Sequence, residues 1–124
     1  MLLIIGGAYQ GKLDYALENY PDKSIFHCTV ETAEIDLSAD IINALHLLIL
    51  GQTRTETDTL AYLREILPEL KNKIIICDDI SCGVVPINPE TRQWRETLGR
   101  SLVLLSKNSN EVIRVFCGIG SKIK

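Results

Sequence analysis

Five short apolar runs recur along the chain, at residues 2–5, 25–30, 45–50, 74–77 and 112–117. Arg114 apart, they are free of Asp, Glu, Lys and Arg. Strands buried on both faces have this composition, which predicts a parallel sheet covered by helices. Between the runs the period changes to that of a helix. Residues 11–19 follow a glycine cluster, and 57–67 place Leu60, Leu63 and Leu67 at spacings of three and four. Pro68 should end or kink that helix. The clearest helix is 89–107: Asn88 is a good N-cap, Pro89 suits the first helical position and Glu90 complements the dipole. Trp94, Leu98, Leu102 and Leu105 then line one face. Residues 36–44 read as a further short helix, with Leu37, Ile41 and Ala44 on one side. Alternating strands and helices joined by short loops predict an α/β, three-layer domain with a mostly parallel sheet of about five strands, residues 2–5 at its centre.

Composition narrows this further. A chain of 124 residues suits one ordinary domain, 1–124, and 46% hydrophobic residues suffice for a core. The net charge of −3, with no cluster of Lys or Arg, points away from nucleic acid. No apolar run reaches 18 residues, so no membrane span is expected, and the start lacks the basic stretch of a signal peptide. The expectation is a cytoplasmic protein. Of the four cysteines, Cys28, Cys77 and Cys117 lie in or at the ends of apolar runs, and there is no CxxC pair. They read, with Cys82, as buried reduced thiols rather than as a metal site or disulfides.

The candidate chemistry starts where the first strand stops, at Gly6-Gly7-Ala8-Tyr9-Gln10-Gly11-Lys12-Leu13. The phosphate-binding pattern G-x-x-x-x-G-K-[ST] matches through Lys12 and fails at Leu13, with an apolar strand before it and a helix after it. In such a loop successive backbone N–H groups cradle phosphate oxygens, the helix end adds a positive dipole, and the lysine adds a point charge. Leu13 stands where a hydroxyl would ligate Mg²⁺, and leucine cannot hold a hard cation. The expected nucleotide-binding residues are Gly6, Gly7, Ala8, Tyr9, Gln10, Gly11, Lys12 and Leu13. A glycine-rich turn that merely closes a βα unit is the alternative.

Taken with Asp78-Asp79-Ile80-Ser81-Cys82-Gly83-Val84-Val85-Pro86-Ile87-Asn88-Pro89, the loop resembles the adenosylcobinamide kinase / adenosylcobinamide-phosphate guanylyltransferase family of cobalamin biosynthesis. That family opens with a strand and a GGxxxGKS loop. It later carries a strand ending Asn-Glu-Val-Gly, then Gly-[IV]-Val-Pro and a helix containing Gly-Arg. Gly83-Val84-Val85-Pro86 and Gly99-Arg100 stand here in that order, and Gly118-Ile119-Gly120 with Lys122-Ile123-Lys124 resembles the family's ending. The segment His27-Cys28-Thr29-Val30-Glu31-Thr32 is similar to Trp-x-Thr-[IV]-Glu-x, which makes Glu31 a nucleotide-binding residue by resemblance. Residues 45–50 resemble the family's second acidic strand, ending Asp-Cys-[LI]-Thr. Thr53 keeps the threonine, and Leu50 stands in place of the Mg²⁺-directing aspartate. The Asn-Glu pair becomes Asp78-Asp79, so Asp79 joins Lys12 as a candidate catalytic residue. The helix bearing the histidine that takes up the GMP group is missing, and His27 and His46 read as core or surface histidines.

The resemblance implies GTP or ATP as cofactor, a corrinoid as a second partner and a homo-oligomeric assembly. Leu13 and Leu50 speak against Mg²⁺, and no metal-ligand cluster is assigned. Three readings stand open: a kinase phosphorylating adenosylcobinamide, a non-catalytic nucleotide- or corrinoid-binding relative, and a scaffold with a vestigial loop. Guanylyl transfer is the least supported, for want of its nucleophile.

Overall fold

Ile4 lies at the centre of the molecule because its strand has a parallel partner on each side. The computed structural model describes residues 1–80 and 88–124. Its elements are β1 (Leu2–Gly6), α1 (Lys12–Asn19), β2 (Ile25–His27), β3 (Ile41–Asn43), α2 (Leu45–Arg54), α3 (Thr59–Ile66), β4 (Ile74–Asp78), α4 (Pro89–Lys107), β5 (Glu111–Phe116) and β6 (Ile119–Lys122). The strands form one six-stranded sheet in the order β2-β3-β4-β1-β5-β6. All neighbours are parallel except β5 and β6, which form an antiparallel hairpin. The fold is thus the expected three-layer α/β one, with β1 in the interior of the sheet.

The interior strands β1, β3, β4 and β5 are largely apolar because both faces are covered. On one face Leu3, Ile42, Ile75, Cys77 and Val112 pack with Leu45, Leu48 and Ile49 of α2, Leu63 and Ile66 of α3, and Leu98 and Leu105 of α4. On the other, Ile4, Ile41, Ile74, Ile76, Ile113 and Val115 pack with Ala16 of α1. The capping of α4 follows its sequence: Asn88 Oδ1 accepts from the N–H groups of Glu90 and Thr91, with Pro89 at the first turn. At Pro68, α3 gives way to a 3-10 turn over Leu67–Leu70.

Two elements differ from the sequence expectation. Residues 45–50 are not a strand but the first part of α2. A run that is apolar but for His46 fits a buried helix as well as a buried strand, and the burial of Leu45, Leu48, Ile49 and Gln52 has the helical spacing. Residues 36–44 are not a helix. There Asp36 accepts from the N–H and hydroxyl of Ser38, and Asp40 accepts from those of Ser24. Such side-chain bonds compete with helix formation. The chain then runs as β3, which puts Ile41 and Ile42 into opposite layers. The sixth strand follows a two-residue turn in which Cys117 and Gly118 both have positive φ, 51° and 77°. Turns of that kind match the twist of a hairpin. Cys117 is exposed there, against the expectation of burial, while Cys28 and Cys77 are buried. Cys82 and the Gly83-Val84-Val85-Pro86 stretch lie outside the described residues. Among those described, no helix is long and apolar enough to cross a membrane.

Leu98 is 1% exposed between α4 and the sheet, whereas Val103 of the same helix is 55% exposed. Leu98→Ala is therefore expected to cost about 2–5 kcal/mol in urea unfolding, and Val103→Ala within about 0.5 kcal/mol of nothing. Equal costs at the two positions would contradict this packing.

Candidate active site

The glycine loop is shaped by close contacts at both ends. A Cβ on Gly6 would collide with the carbonyl oxygen of Val115, so only glycine lets β1 leave the sheet there. Tyr9 at φ 60° and Gly11 at φ 86° turn the chain through left-handed backbone into α1. For tyrosine that conformation costs on the order of 1 kcal/mol, which the surrounding bonds must offset. Gln10 supplies them: its carbonyl accepts from Gly118 N–H at 2.8 Å and its Oε1 from Cys117 N–H at 2.8 Å. The loop is thereby clipped to the β5–β6 turn. Gln10 is engaged at that turn and Tyr9 stands in solvent. Among the described residues, the N–H groups of Ala8, Tyr9, Gly11, Lys12 and Leu13 have no protein acceptor, while Ala8 and Tyr9 lie in a hydrogen-bonded turn. With the N-terminus of α1 behind them, these amides form a candidate cradle of the kind that can take an anion.

Beneath the cradle lies a charged group. Lys12 is only 7% exposed, and its ammonium donates to Gly7 O at 2.6 Å and meets Asp78 Oδ1 at 2.7 Å. The other carboxylate oxygen of Asp78 is 3.3 Å from His46 Nε2. His46 Nδ1 accepts the N–H of Asp78 at 3.1 Å. A backbone N–H can only donate, so Nδ1 is unprotonated and the ring of the neutral imidazole carries its hydrogen on Nε2. Burial pushes the His46 pKa down and the Lys12 charge pushes it the same way, against the upward pull of Asp78. The His46 carbonyl accepts from Trp94 Nε1 at 2.9 Å, which ties α2 to α4. Lys12, Asp78, His46, Asn43 and the loop border a cleft of about 590 Å³ at the carboxyl ends of β1, β3 and β4. Open α/β sheets bind ligands at such ends.

Of the residues singled out in the sequence, Ala8, Tyr9, Gly11, Lys12 and Leu13 line this cleft. Gly6 and Gly7 frame it, Gly7 by accepting from Lys12. Asp79 follows the end of β4 and donates its N–H to Gly6 O at 2.7 Å, but the carboxylate against Lys12 is that of Asp78. Glu31 lies elsewhere, on a separate cavity of about 450 Å³ beside Gln52 and Thr55 at the end of α2. Leu50 is inside α2 and does not end a strand, so it cannot occupy the position of a strand-end acid. Thr53 likewise turns its hydroxyl onto Ile49 O within that helix. The strand that does end beside the cleft is β3, and its last residue, Asn43, carries a neutral amide. His46 belongs to α2, not to a strand, and His27 is exposed, with Nδ1 3.1 Å from Asn43 Nδ2. Asp78, Asn43 and His46 were the cleft residues the sequence hid. The register that pairs Gly6 with Asp78 was the missing signal.

The donors here are few for a resident hard cation. Leu13 offers no oxygen, Asn43 only a neutral amide oxygen, and the Asp78 carboxylate is engaged by Lys12. No group of three or more His, Cys, Asp or Glu side chains suited to a metal occurs among the described residues.

The family model described as cobinamide kinase / cobinamide phosphate guanyltransferase matches residues 37–123, well over half of the chain. The match begins after the glycine loop and includes β3, β4 and the cleft residues Asn43, His46 and Asp78. No curated protein matches the chain.

Because His46 is held neutral in the fold, the unfolded chain takes up its proton near the ordinary value of 6.5 while the native chain resists it. As pH falls below that value the unfolded state binds more protons, and native stability is lost. The thermal midpoint should therefore drop between about pH 7 and 5, the window set by the ordinary histidine value. His46→Gln should flatten that drop. An unchanged slope in the variant would assign the loss to other groups.

Proposed function

The chain belongs to the cobinamide kinase / cobinamide phosphate guanyltransferase family, and from that premise we propose that it binds a nucleoside triphosphate by its phosphates over residues 6–13 and carries out the kinase half of the family's chemistry. The family places it among the nucleotide-binding transferases of cobalamin biosynthesis. The observation that carries the finer reading is the cradle: loop amides with no protein acceptor among the described residues, above a lysine, at a helix N-terminus. The nucleotide would be GTP or ATP, and the acceptor the hydroxyl of a corrinoid. In this reading the loop amides and Lys12 hold and neutralise the phosphates, and phosphoryl transfer follows from positioning and charge. We propose further that the protein works as a homo-oligomer in the cytoplasm, apart from nucleic acid and membrane.

Guanylyl transfer needs a nucleophile, and the two histidines make poor ones. Both nitrogens of His46 face Asp78, and His27 Nδ1 faces Asn43. A second reading, a nucleotide- or corrinoid-binding relative without chemistry, is favoured by Leu13 and by the missing cation donors.

Calorimetric titration with GTP, ATP and a corrinoid, with and without Mg²⁺, tests the proposal. If the cradle and Lys12 alone hold the phosphates, nucleotide affinity should change less than about three-fold on adding Mg²⁺, since no protein side chain joins the cation. Leu13→Ser should introduce a Mg²⁺ dependence, and Asn43→Asp should add to it, because both groups would serve one ion and couple. Phosphate release onto a corrinoid separates kinase from binding relative. Failure of every nucleotide to bind would overturn both.

A further inference from the structure

The two members of the buried ion pair are anchored very unequally. Asp78 is the last residue of β4, in register with Gly6. Its backbone N–H is bonded to His46 Nδ1 at 3.1 Å, and its Oδ2 is 3.3 Å from His46 Nε2. His46 is itself held through its carbonyl by Trp94. The carboxylate is therefore fixed from the sheet and from α2 together. Lys12 carries its charge on a flexible four-carbon stem, whose torsions can turn the ammonium through several ångströms without moving the backbone. In this conformation the ammonium is drawn inward, to Gly7 O at 2.6 Å and Asp78 Oδ1 at 2.7 Å. The ammonium is thus held by two protein acceptors and burial, not by the cradle above.

Resting on the reading of residues 6–13 as a phosphate cradle, we propose that Asp78 is an internal competitor for Lys12. It holds the ammonium in reserve in the free protein, and a phosphate ligand binds by winning Lys12 away from it. Asp78 is then a positioning residue that sets phosphate affinity. The acid sits on β4, while the neighbouring strand end on β3 carries a neutral amide, Asn43. That placement is what makes the competition possible: an acid at this height on β4 lies within ion-pair distance of the loop lysine. His46 keeps the carboxylate in place after release, so the pair can re-form when the ligand leaves.

The test is calorimetry with inorganic tripolyphosphate in metal-free buffer, on the full chain and on Asp78→Asn, Lys12→Met and the double variant. Removing the competitor should tighten binding by about five-fold or more, the size of a partly buried ion pair given up on binding. A purely structural role for Asp78 predicts the reverse, since loosening the end of β4 would damage the cradle. Lys12→Met should weaken binding, and adding Asp78→Asn to it should restore nothing, because the competitor acts only through Lys12. A gain of equal size in the double variant would show a general repulsion of the ligand by the acid and would overturn the proposal. So would unchanged or weaker binding by Asp78→Asn beside a natural chain that binds, and that result leaves the cradle standing. Absence of binding in all four chains overturns the cradle itself. Should Asp78→Asn fail to fold, Asp78→Ser carries the same expectations.

Discussion

The register between β1 and β4 is the constraint on which the cleft depends. Leu2 pairs with Ile74 and so on in step until Gly6 pairs with Asp78. Five consecutive parallel pairs, buried under helices on both faces, leave little room for slippage: a shift of one residue would turn every isoleucine to the opposite layer. That register brings the first residue of the glycine loop and the acid at the end of β4 to one height. The helix that begins at Lys12 then needs only one loop of fixed shape to place its ammonium on that acid. Gln10 fixes the shape through the β5–β6 turn, so the hairpin at the sheet's far edge also takes part in building the cleft.

A lysine at 7% exposure requires a partner, because an isolated buried ammonium would lose far more hydration than the fold supplies elsewhere. Asp78 and the Gly7 carbonyl meet that requirement. Their arrangement has a consequence for the imidazole beside them. Burial and the Lys12 charge both disfavour a second proton on His46, against the pull of Asp78. The same acid thus faces both Lys12 and His46.

Much of the fold was legible because its signals are local. The runs at 2–5, 74–77 and 112–117 lie within β1, β4 and the β5 hairpin, and Asn88-Pro89-Glu90 marks the start of α4 as its chemistry requires. Glycines and Lys12 declared the loop for the same reason. Residues 45–50 misled because a run apolar but for His46 carries no clear period, and only burial shows that α2 is helical. That error propagated: once 45–50 was a strand, its end fell on Leu50, and Asn43 and His46 were passed over. Asp78 was overlooked in favour of Asp79 because strand alternation decides which of two adjacent acids meets the lysine, and that parity comes from pairing with β1, which is not local.

The charges assembled here bear on rate more than on binding. A triphosphate brings several negative charges, while the cleft offers one ammonium, shared with Asp78, and the dipoles of the loop and α1. Dipoles and hydrogen bonds suffice to hold an anion, because binding needs only a favourable sum. Transfer needs more: charge that develops on the leaving and transferring oxygens must be met in the transition state, and losing one such group costs on the order of 10²–10³ in rate. In the proposed reading Leu13 offers a cation no oxygen, and Asn43 offers a neutral amide oxygen in place of a carboxylate. Because both would have served the same ion, their losses overlap instead of multiplying. Were the proposed transfer to run in this cleft, charge stabilisation in the transition state would limit it more than phosphate binding would.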